Sequence, residues 1–332
     1  MGQRIIVTVV LVVARLCLET SLAAQASLGR IHSGPESVPG VEFAAATNLS
    51  DRNVKATGIV FVPESVPRAH AVIVLIERGP TTPMAAQSRF GDASWRTLSG
   101  KCACALLYVR LDTIRPIDFS TGAAVDVLRS ASLGGADAVL SLLNTLAVES
   151  SHPELKSAPI VFWGWSSAAS FGTTFAERYP ERTIAFIRYH THRQGLPVDM
   201  TLLKNIPALL IAGGKDQPAR NEDAEALWKL GRSVDAPWTF AIEPEAAHAS
   251  EEAFRSTQDK LIIPWIEAVV SQRVAAPNAR LRAIPVAAGV LGNNRTGAVV
   301  AYGTFPDARI EASWLPDEAV ARGWRTVLGV AK

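Results

Sequence analysis

Apolar runs that alternate with amphipathic stretches constrain the fold of this 332-residue chain more than any other feature. The run from Ala71 to Ile76 is apolar at every position, as in a strand of a sheet that helices cover on both faces. Similar strand-like runs lie at 41–47, 54–62, 105–111, 159–163, 184–189, 208–212 and 238–242. Helix-like stretches lie between or after them at 135–149, 168–179, 222–230 and 251–270, the last with Pro264 inside it. This alternation predicts an α/β fold with about eight mostly parallel strands, wound with helices on both faces.

The ends of the chain differ from this alternating region. After about residue 274 the sequence is rich in Ala, Gly and Asn and ends on a short helix that follows Pro316. We interpret residues 27–332 as one domain with a C-terminal extension from about 274, a separate module being the alternative. No internal repeat is present.

Residues 1–26 have the pattern of an export signal. Arg4 precedes an apolar stretch over residues 5–14, and Ala24–Ala26 forms an A-x-A cleavage site. Arg15 ends the apolar stretch well short of the ~18 residues that a membrane anchor needs. We therefore predict a secreted or periplasmic protein without a stable membrane anchor, the alternative being a buried N-terminal helix.

Charge and cysteine content exclude several classes of protein. The formal net charge is +2, without a run of Lys or Arg that would follow a phosphate backbone, so nucleic acid is not an expected partner. No Cys/His spacing is typical of zinc, and we predict no metal. Cys102 and Cys104 stand two apart in an extended chain, at roughly 6.5 to 7 Å between Cα atoms, so we expect free thiols.

The segment from Ile160 to Gly172 contains the strongest candidate for chemistry. It runs from an apolar strand through Gly164-Trp165-Ser166-Ser167-Ala168 into a helical pattern. A serine on a sharp strand-to-helix turn needs small residues two positions before and after it. Ser166 meets this requirement, whereas Trp165 would be the flanking residue for Ser167. Ser166 is therefore the predicted nucleophile, the alternative being a serine that caps an ordinary helix.

This segment resembles the G-x-S-x-G signature of the α/β-hydrolase superfamily, with Ala168 in place of the last glycine. The resemblance spans roughly residues 41–270, with a looser likeness to dienelactone-hydrolase-like proteins and secreted bacterial carboxylesterases. True dienelactone hydrolases use a cysteine nucleophile, so their chemistry is not implied. The resemblance implies an α/β-hydrolase fold and a nucleophile, acid and base that follow in this order along the chain.

His248 and Asp216 match the positions of the base and the acid. Of six histidines, His248 follows the last predicted strand, and imidazole has a pKa suited to a general base near neutral pH. Asp216 follows the strand-like run 208–212 in a glycine turn and would orient the imidazole. The competing carboxylates are Asp223, Glu243 and Glu245, of which we place Asp223 in the first turn of a helix.

The resemblance also implies an oxyanion hole made of backbone N–H groups. One donor is expected from Ser167, directly after the nucleophile. The second is expected in the loop after the third strand, where Arg78-Gly79-Pro80 stands. Because Pro80 has no N–H, we predict that Gly79 or Arg78 supplies it.

The predicted function is hydrolysis of a carboxylic ester through an acyl-serine intermediate, without a cofactor. Trp165 and His190 are the predicted substrate-binding residues, and a metal held by His190 and His192 lacks an evident third ligand. The connection from about 190 to 207 has room for a short helix near Asp199–Asn205, so we predict no large lid and a site open to short-chain, bulky or polymer-linked esters. The alternatives are a serine peptidase of the same fold and a non-catalytic binding protein on a hydrolase scaffold.

Overall fold

The computed structural model describes residues 38–78, 85–115, 131–191, 199–277, 279–306 and 308–330. Their centre is an eight-stranded sheet in the order β1-β2-β4-β3-β5-β6-β7-β8. The strands are Gly40–Leu49 (β1), Val54–Pro63 (β2), Ala71–Arg78 (β3), Cys104–Thr113 (β4), Ile160–Trp165 (β5), Thr183–Tyr189 (β6), Ala208–Gly213 (β7) and Trp238–Glu243 (β8). β2 is antiparallel to β1 and to β4, and all pairs from β4 to β8 are parallel. The predicted mostly parallel sheet is therefore confirmed.

Helices cover both faces of this sheet. They are Ala85–Phe90 (α1), Ala93–Lys101 (α2), Gly135–Glu149 (α3), Ala169–Arg178 (α4), Met200–Leu203 (α5), Pro218–Ser233 (α6), Glu251–Thr257 (α7), Ile263–Arg273 (α8) and Glu318–Val327 (α9). Side chains of α3, α4 and α6 pack in one apolar cluster, and those of α1, α2, α7, α8 and α9 pack in a second. Side chains of strand β3 point into the two clusters alternately. Val72 and Val74 point into the first cluster, and Ile73 and Leu75 point into the second.

The predicted helix over 251–270 is divided into two. A π-helical segment, Gln258–Ile262, separates α7 from α8, and Pro264 lies in the first turn of α8. Proline has no N–H to donate to the carbonyl of the preceding turn, which is the carbonyl of Lys260. Helix α9 approaches this carbonyl so closely that a methyl group on Gly323 would lie 1.8 Å from it.

The C-terminal segment forms a small antiparallel sheet in the order β10-β9-β11, followed by α9. Its strands are Val290–Asn293 (β9), Val299–Ala301 (β10) and Ala312–Leu315 (β11). The segment packs along β8, the edge strand of the main sheet. Ser313 Oγ accepts from the N–H of Phe240 at 2.8 Å, and Trp324 Nε1 donates to the carbonyl of Phe240 at 2.7 Å. The segment therefore satisfies backbone groups of an edge that would otherwise be open.

Within the described residues, no helix combines the length and apolar character needed to cross a membrane. The predicted export signal, residues 1–26, lies outside them.

Candidate active site

Strand β5 ends in a strained turn at Ser166. The backbone of Ser166 has φ +54°, in the left-handed region that costs an ordinary residue about 1 to 3 kcal/mol. A single 3₁₀ turn, Ser166–Ala168, then leads into α4. A methyl group on Gly164 would lie 2.6 Å from the carbonyl oxygen of Ala168, so the turn needs glycine two residues before the serine. The packing that singled out Ser166 in the sequence is present in the structure.

Three side chains from separate loops form one hydrogen-bonded chain. His248 Nε2 lies 2.9 Å from Ser166 Oγ, and His248 Nδ1 lies 2.6 Å from Asp216 Oδ2. Their loops leave the carboxyl ends of β5, β7 and β8, which meet at one edge of a parallel sheet. The structure thus brings together the residues predicted as nucleophile, base and acid.

Asp216 is buried and held in its ionised form. Burial favours the neutral acid, but hydrogen bonds from His248 and from the Gln217 amide, together with the charge of Arg220, outweigh it and lower the pKa of Asp216. Its second oxygen accepts from Gln217 N at 2.7 Å and from Arg220 Nη1 at 2.9 Å. Arg220, one helical turn after Asp216 on α6, was not predicted as part of the site.

His248 is half-buried and neutral at pH 7. Burial lowers the pKa of its imidazole below the usual 6.5, and the positive charge of Arg220 adds to this, against the opposing effect of Asp216. Because Asp216 takes the proton at Nδ1, the unprotonated Nε2 faces Ser166. The imidazole is therefore placed to accept the hydroxyl proton of the serine.

Trp165 packs on His248. Its indole and the imidazole of His248 have centroids 5.2 Å apart, and Trp165 Nε1 donates to the carbonyl oxygen of His248 at 3.1 Å. The side chain keeps part of its surface exposed. Contact between this surface and a substrate stays a prediction.

The structure corrects the prediction for His190. The side chain is fully buried, and both ring nitrogens are engaged: Nδ1 with the carbonyl of His248 at 3.0 Å and Nε2 with Glu243 at 2.5 Å. The prediction of a pocket-lining residue assumed an extended backbone, whereas His190 has φ +42°. The side chain therefore points beneath the His248 loop. His192 lies outside the described residues.

The carboxylates that compete with Asp216 in the sequence lie outside the hydrogen-bonded chain of Ser166, His248 and Asp216. Glu243 is buried against His190, and Glu245 is exposed and paired with Lys215. Asp223 does not lie in the first turn of α6, because that helix begins at Pro218. Its charge acts instead on the buried guanidinium of Arg188.

Only part of the predicted oxyanion hole lies in the described residues. Ser167 follows Ser166 in the 3₁₀ turn, and Arg78 ends β3 beside it, with Arg78 Nε donating to Ser167 Oγ. Gly79 and Pro80 lie outside the described residues. Elsewhere in the described chain, no cluster of three or more His, Cys, Asp and Glu side chains forms a candidate metal site, and Cys102 and Cys104 are free thiols.

Comparison with known proteins identifies the fold. A structure described as a ferulic acid esterase matches 69% of this chain and 98% of its own, at 12% identity and a TM-score of 0.50. A predicted CIB-like hydrolase from Thermoplasma acidophilum matches 69% of this chain and 99% of its own, at 14% identity and a TM-score of 0.43. An acylaminoacyl peptidase from Pyrococcus horikoshii matches 69% of this chain, at 14% identity and a TM-score of 0.48. The match covers 42% of the peptidase chain. No family model and no curated protein matches the sequence. At such identity the likeness shows the fold alone, which is the predicted α/β-hydrolase fold.

Proposed function

We propose that this chain with an α/β-hydrolase fold is a serine hydrolase of carboxylic esters, with Ser166 as nucleophile, His248 as base and Asp216 as acid. The observation that carries the proposal is the hydrogen-bonded chain from Ser166 Oγ through His248 to Asp216, at 2.9 and 2.6 Å. The strained backbone of Ser166 supports it, because strain in a folded chain concentrates at functional sites.

Two proton transfers through His248 complete the reaction. His248 Nε2 takes the proton of Ser166 Oγ as that oxygen attacks the ester carbonyl carbon, and Asp216 stabilises the imidazolium. The tetrahedral intermediate expels the alcohol, which leaves with the proton from Nε2. Water then attacks the acyl-serine. His248 Nε2 takes a proton from this water and returns it to Ser166 Oγ, which releases the acid and the free enzyme.

The negative oxygen of the intermediate needs two donors. The Ser167 amide, at the start of the 3₁₀ turn, is the first donor that we propose. The amide of Arg78 or of Gly79 is the second. The hydrogen bond from the Arg78 side chain to Ser167 Oγ supports this arrangement, because it holds the end of β3 beside the nucleophile turn.

We propose short-chain esters, bulky esters or esters linked to a polymer, such as acylated polysaccharide or aryl esters, as the substrates. In the connection between β6 and β7, the described residues contain the single short helix α5, capped by Asp199, in the region where the sequence predicts a short helix. A site without a helical cap excludes less water from a long acyl chain, so activity should fall beyond about eight acyl carbons. Export of the protein would suit such substrates. It is checked by determining the first residue of the exported protein, which we expect to be Ser27.

The test is a series of p-nitrophenyl esters of increasing acyl length, together with a fluorophosphonate probe. Labelling should fall on Ser166, and Ser166→Ala should abolish both labelling and turnover, whereas Ser167→Ala should still be labelled. Labelling of Ser167, or activity in Ser166→Ala, would contradict the assignment. A parallel series of peptide anilides distinguishes the peptidase alternative, and a complete absence of turnover would favour the binding-protein alternative.

A further inference from the structure

A buried pair of titratable side chains, His190 and Glu243, lies directly beneath the loop that carries His248. The imidazole of His190 has no exposed surface, and the Glu243 side chain is 5% exposed. His190 Nε2 and Glu243 Oε2 are 2.5 Å apart. Neither side chain forms a hydrogen bond with Ser166 or Asp216, so the pair lies outside the proton-transfer chain described above.

The hydrogen bonds of the pair determine where its protons lie. His190 Nδ1 faces the carbonyl oxygen of His248 at 3.0 Å, and because a carbonyl oxygen can only accept, Nδ1 carries a proton. Glu243 accepts from the hydroxyls of Tyr189 and Thr257. One further proton must lie between His190 Nε2 and Glu243 Oε2, because two lone pairs at 2.5 Å would repel each other. The pair is therefore neutral as a whole, and its arrangement fixes the Nδ1–H donor of His190.

This donor acts on the backbone of the base. The carbonyl oxygen of His248 receives two hydrogen bonds, one from His190 Nδ1 at 3.0 Å and one from Trp165 Nε1 at 3.1 Å. Asp216 orients the imidazole of the same residue. The backbone and the side chain of His248 are thus held by separate partners.

We propose that His190, oriented by Glu243, is a positioning residue that fixes the main chain of His248 and so keeps Nε2 in reach of Ser166. This proposal rests on the proposed function, in which His248 is the base. A displacement of about 1 Å in a catalytic group can cost orders of magnitude in rate, so a backbone anchor of this kind is expected to act on turnover more than on substrate binding.

The surroundings of His190 are shaped for this orientation. Its ring stacks on that of Tyr189, with centroids 4.1 Å apart and planes 13° from parallel. A methyl group on Gly213 would lie 3.1 Å from His190 Cε1 and 3.2 Å from Nε2, so the end of β7 leaves space for the ring. The φ of +42° at His190 is a conformation that asparagine adopts more readily than most residues.

Two substitutions separate the two hydrogen bonds of His190. In His190→Asn the side-chain amide lies near the position of Nδ1 and can still donate to the His248 carbonyl. In His190→Gln it reaches toward the position of Nε2 and keeps only the bond with Glu243. We expect kcat of His190→Asn within about threefold of wild type and kcat of His190→Gln about tenfold lower, with KM unchanged in both.

Thermal unfolding of the same variants should rank in the opposite order. His190→Asn leaves the buried Glu243 without its partner and should melt at the lower temperature, whereas His190→Gln keeps that partner. If kcat per folded molecule is equal in the two variants, or follows stability, the role of His190 is structural and the proposal is wrong.

A second pair keeps the proposal testable if His190→Asn does not fold. In Glu243→Gln the amide can donate to Nε2, so neutral His190 keeps its proton on Nδ1, and kcat should stay within about threefold of wild type. In Glu243→Leu the ring loses its partner at Nε2 and is no longer held toward the His248 carbonyl, so kcat should fall about tenfold with KM unchanged. Equal kcat in these two variants would overturn the proposal.

A measurement without turnover separates this proposal from the proposed function. In ¹⁵N-histidine NMR of the wild-type protein, we expect His190 Nδ1 to carry a slowly exchanging proton, and the ring signals of His248 to broaden in His190→Gln. If no ester is hydrolysed but these signals appear, the proposed function fails and the positioning of His248 by His190 stands. If His190 Nδ1 carries no proton, the proposal fails whatever the activity.

Discussion

At the scale of single residues, Arg220 connects Asp216 and His248 electrostatically. Its guanidinium lies 2.9 Å from Asp216 and helps to lower the pKa of that carboxyl group. The same positive charge contributes to the lowered pKa of His248. Both effects keep the pair as ionised carboxylate and neutral imidazole, the state in which His248 can accept a proton.

The pH dependence of kcat/KM should show the effect of the positive charge of Arg220 on His248. In the wild type, burial and Arg220 lower the pKa of His248 below 6.5, so kcat/KM should stay high below pH 6.5 before it declines on the acidic side. In Arg220→Met, loss of the positive charge favours the imidazolium, and the acidic limb should move to higher pH. Asp216 stays ionised throughout this range and does not mask the shift.

The measurement is kcat/KM against pH on one p-nitrophenyl ester for both proteins. Arg255→Met is the matched control, because Arg255 is exposed and pairs with Glu251 rather than with Asp216, and its charge does not contribute to the lowered pKa of His248. An acidic limb that stays in place or moves to lower pH in Arg220→Met would show that the charge does not act on His248.

The sequence was sufficient to place those site residues whose positions depend on local packing alone. The small side chains around Ser166 could be recognised in the sequence because strand, turn and helix follow one another directly. His190 could not be placed in this way. The sequence marks it as the end of a strand, but the positive φ that turns its ring under the next loop depends on Glu243 and Gly213, which are distant in the chain.

At the scale of secondary-structure elements, the junction between α7 and α8 determines how α9 docks. The π-helical segment and Pro264 leave the carbonyl of Lys260 facing α9, where Gly323 makes its close approach. A sequence shows the proline but not the helix that packs on the carbonyl it leaves open. The boundaries of these helices therefore needed the structure, whereas the strands followed from their apolar runs.

Gly323→Ala should destabilise the protein by displacing α9. The added methyl group would lie 1.8 Å from the carbonyl oxygen of Lys260, and a backbone atom cannot move aside as a flexible side chain can. We expect a loss of about 1 to 3 kcal/mol in the free energy of unfolding, measured by denaturant titration.

Gly303→Ala is the matched control, because a methyl group there has no neighbour within 4 Å. Its effect should stay within about 0.5 kcal/mol. Equal stability of the two variants would mean that α9 does not dock as described.

At the scale of the whole molecule, the C-terminal segment is part of the core around the main sheet. Trp314 and Trp324 are fully buried in the same apolar cluster as Trp265 of α8. The sequence did not show these contacts, because the hydrogen bonds between the segment and β8 join residues more than 70 positions apart.

Removal of residues 285–332 should therefore prevent folding to a soluble monomer. The truncated chain would expose the edge of β8 and the apolar surface that Trp314 and Trp324 cover. Size-exclusion chromatography and fluorophosphonate labelling of the truncated and full chains are the measurements. A truncated chain that is monomeric and labelled at the full rate would instead show that the segment is a separate module.

The covered edge of β8 has a consequence for the newly made chain. Strand β8 leads directly into the loop with His248, yet the side chains that seal it, Ser313 and Trp324, leave the ribosome more than 70 residues after Phe240 of that strand. Until then the sheet has an open edge that can pair with another nascent chain. Emergence of the C-terminal segment, rather than of the loop with His248, would therefore be the step after which this edge is protected from misassembly.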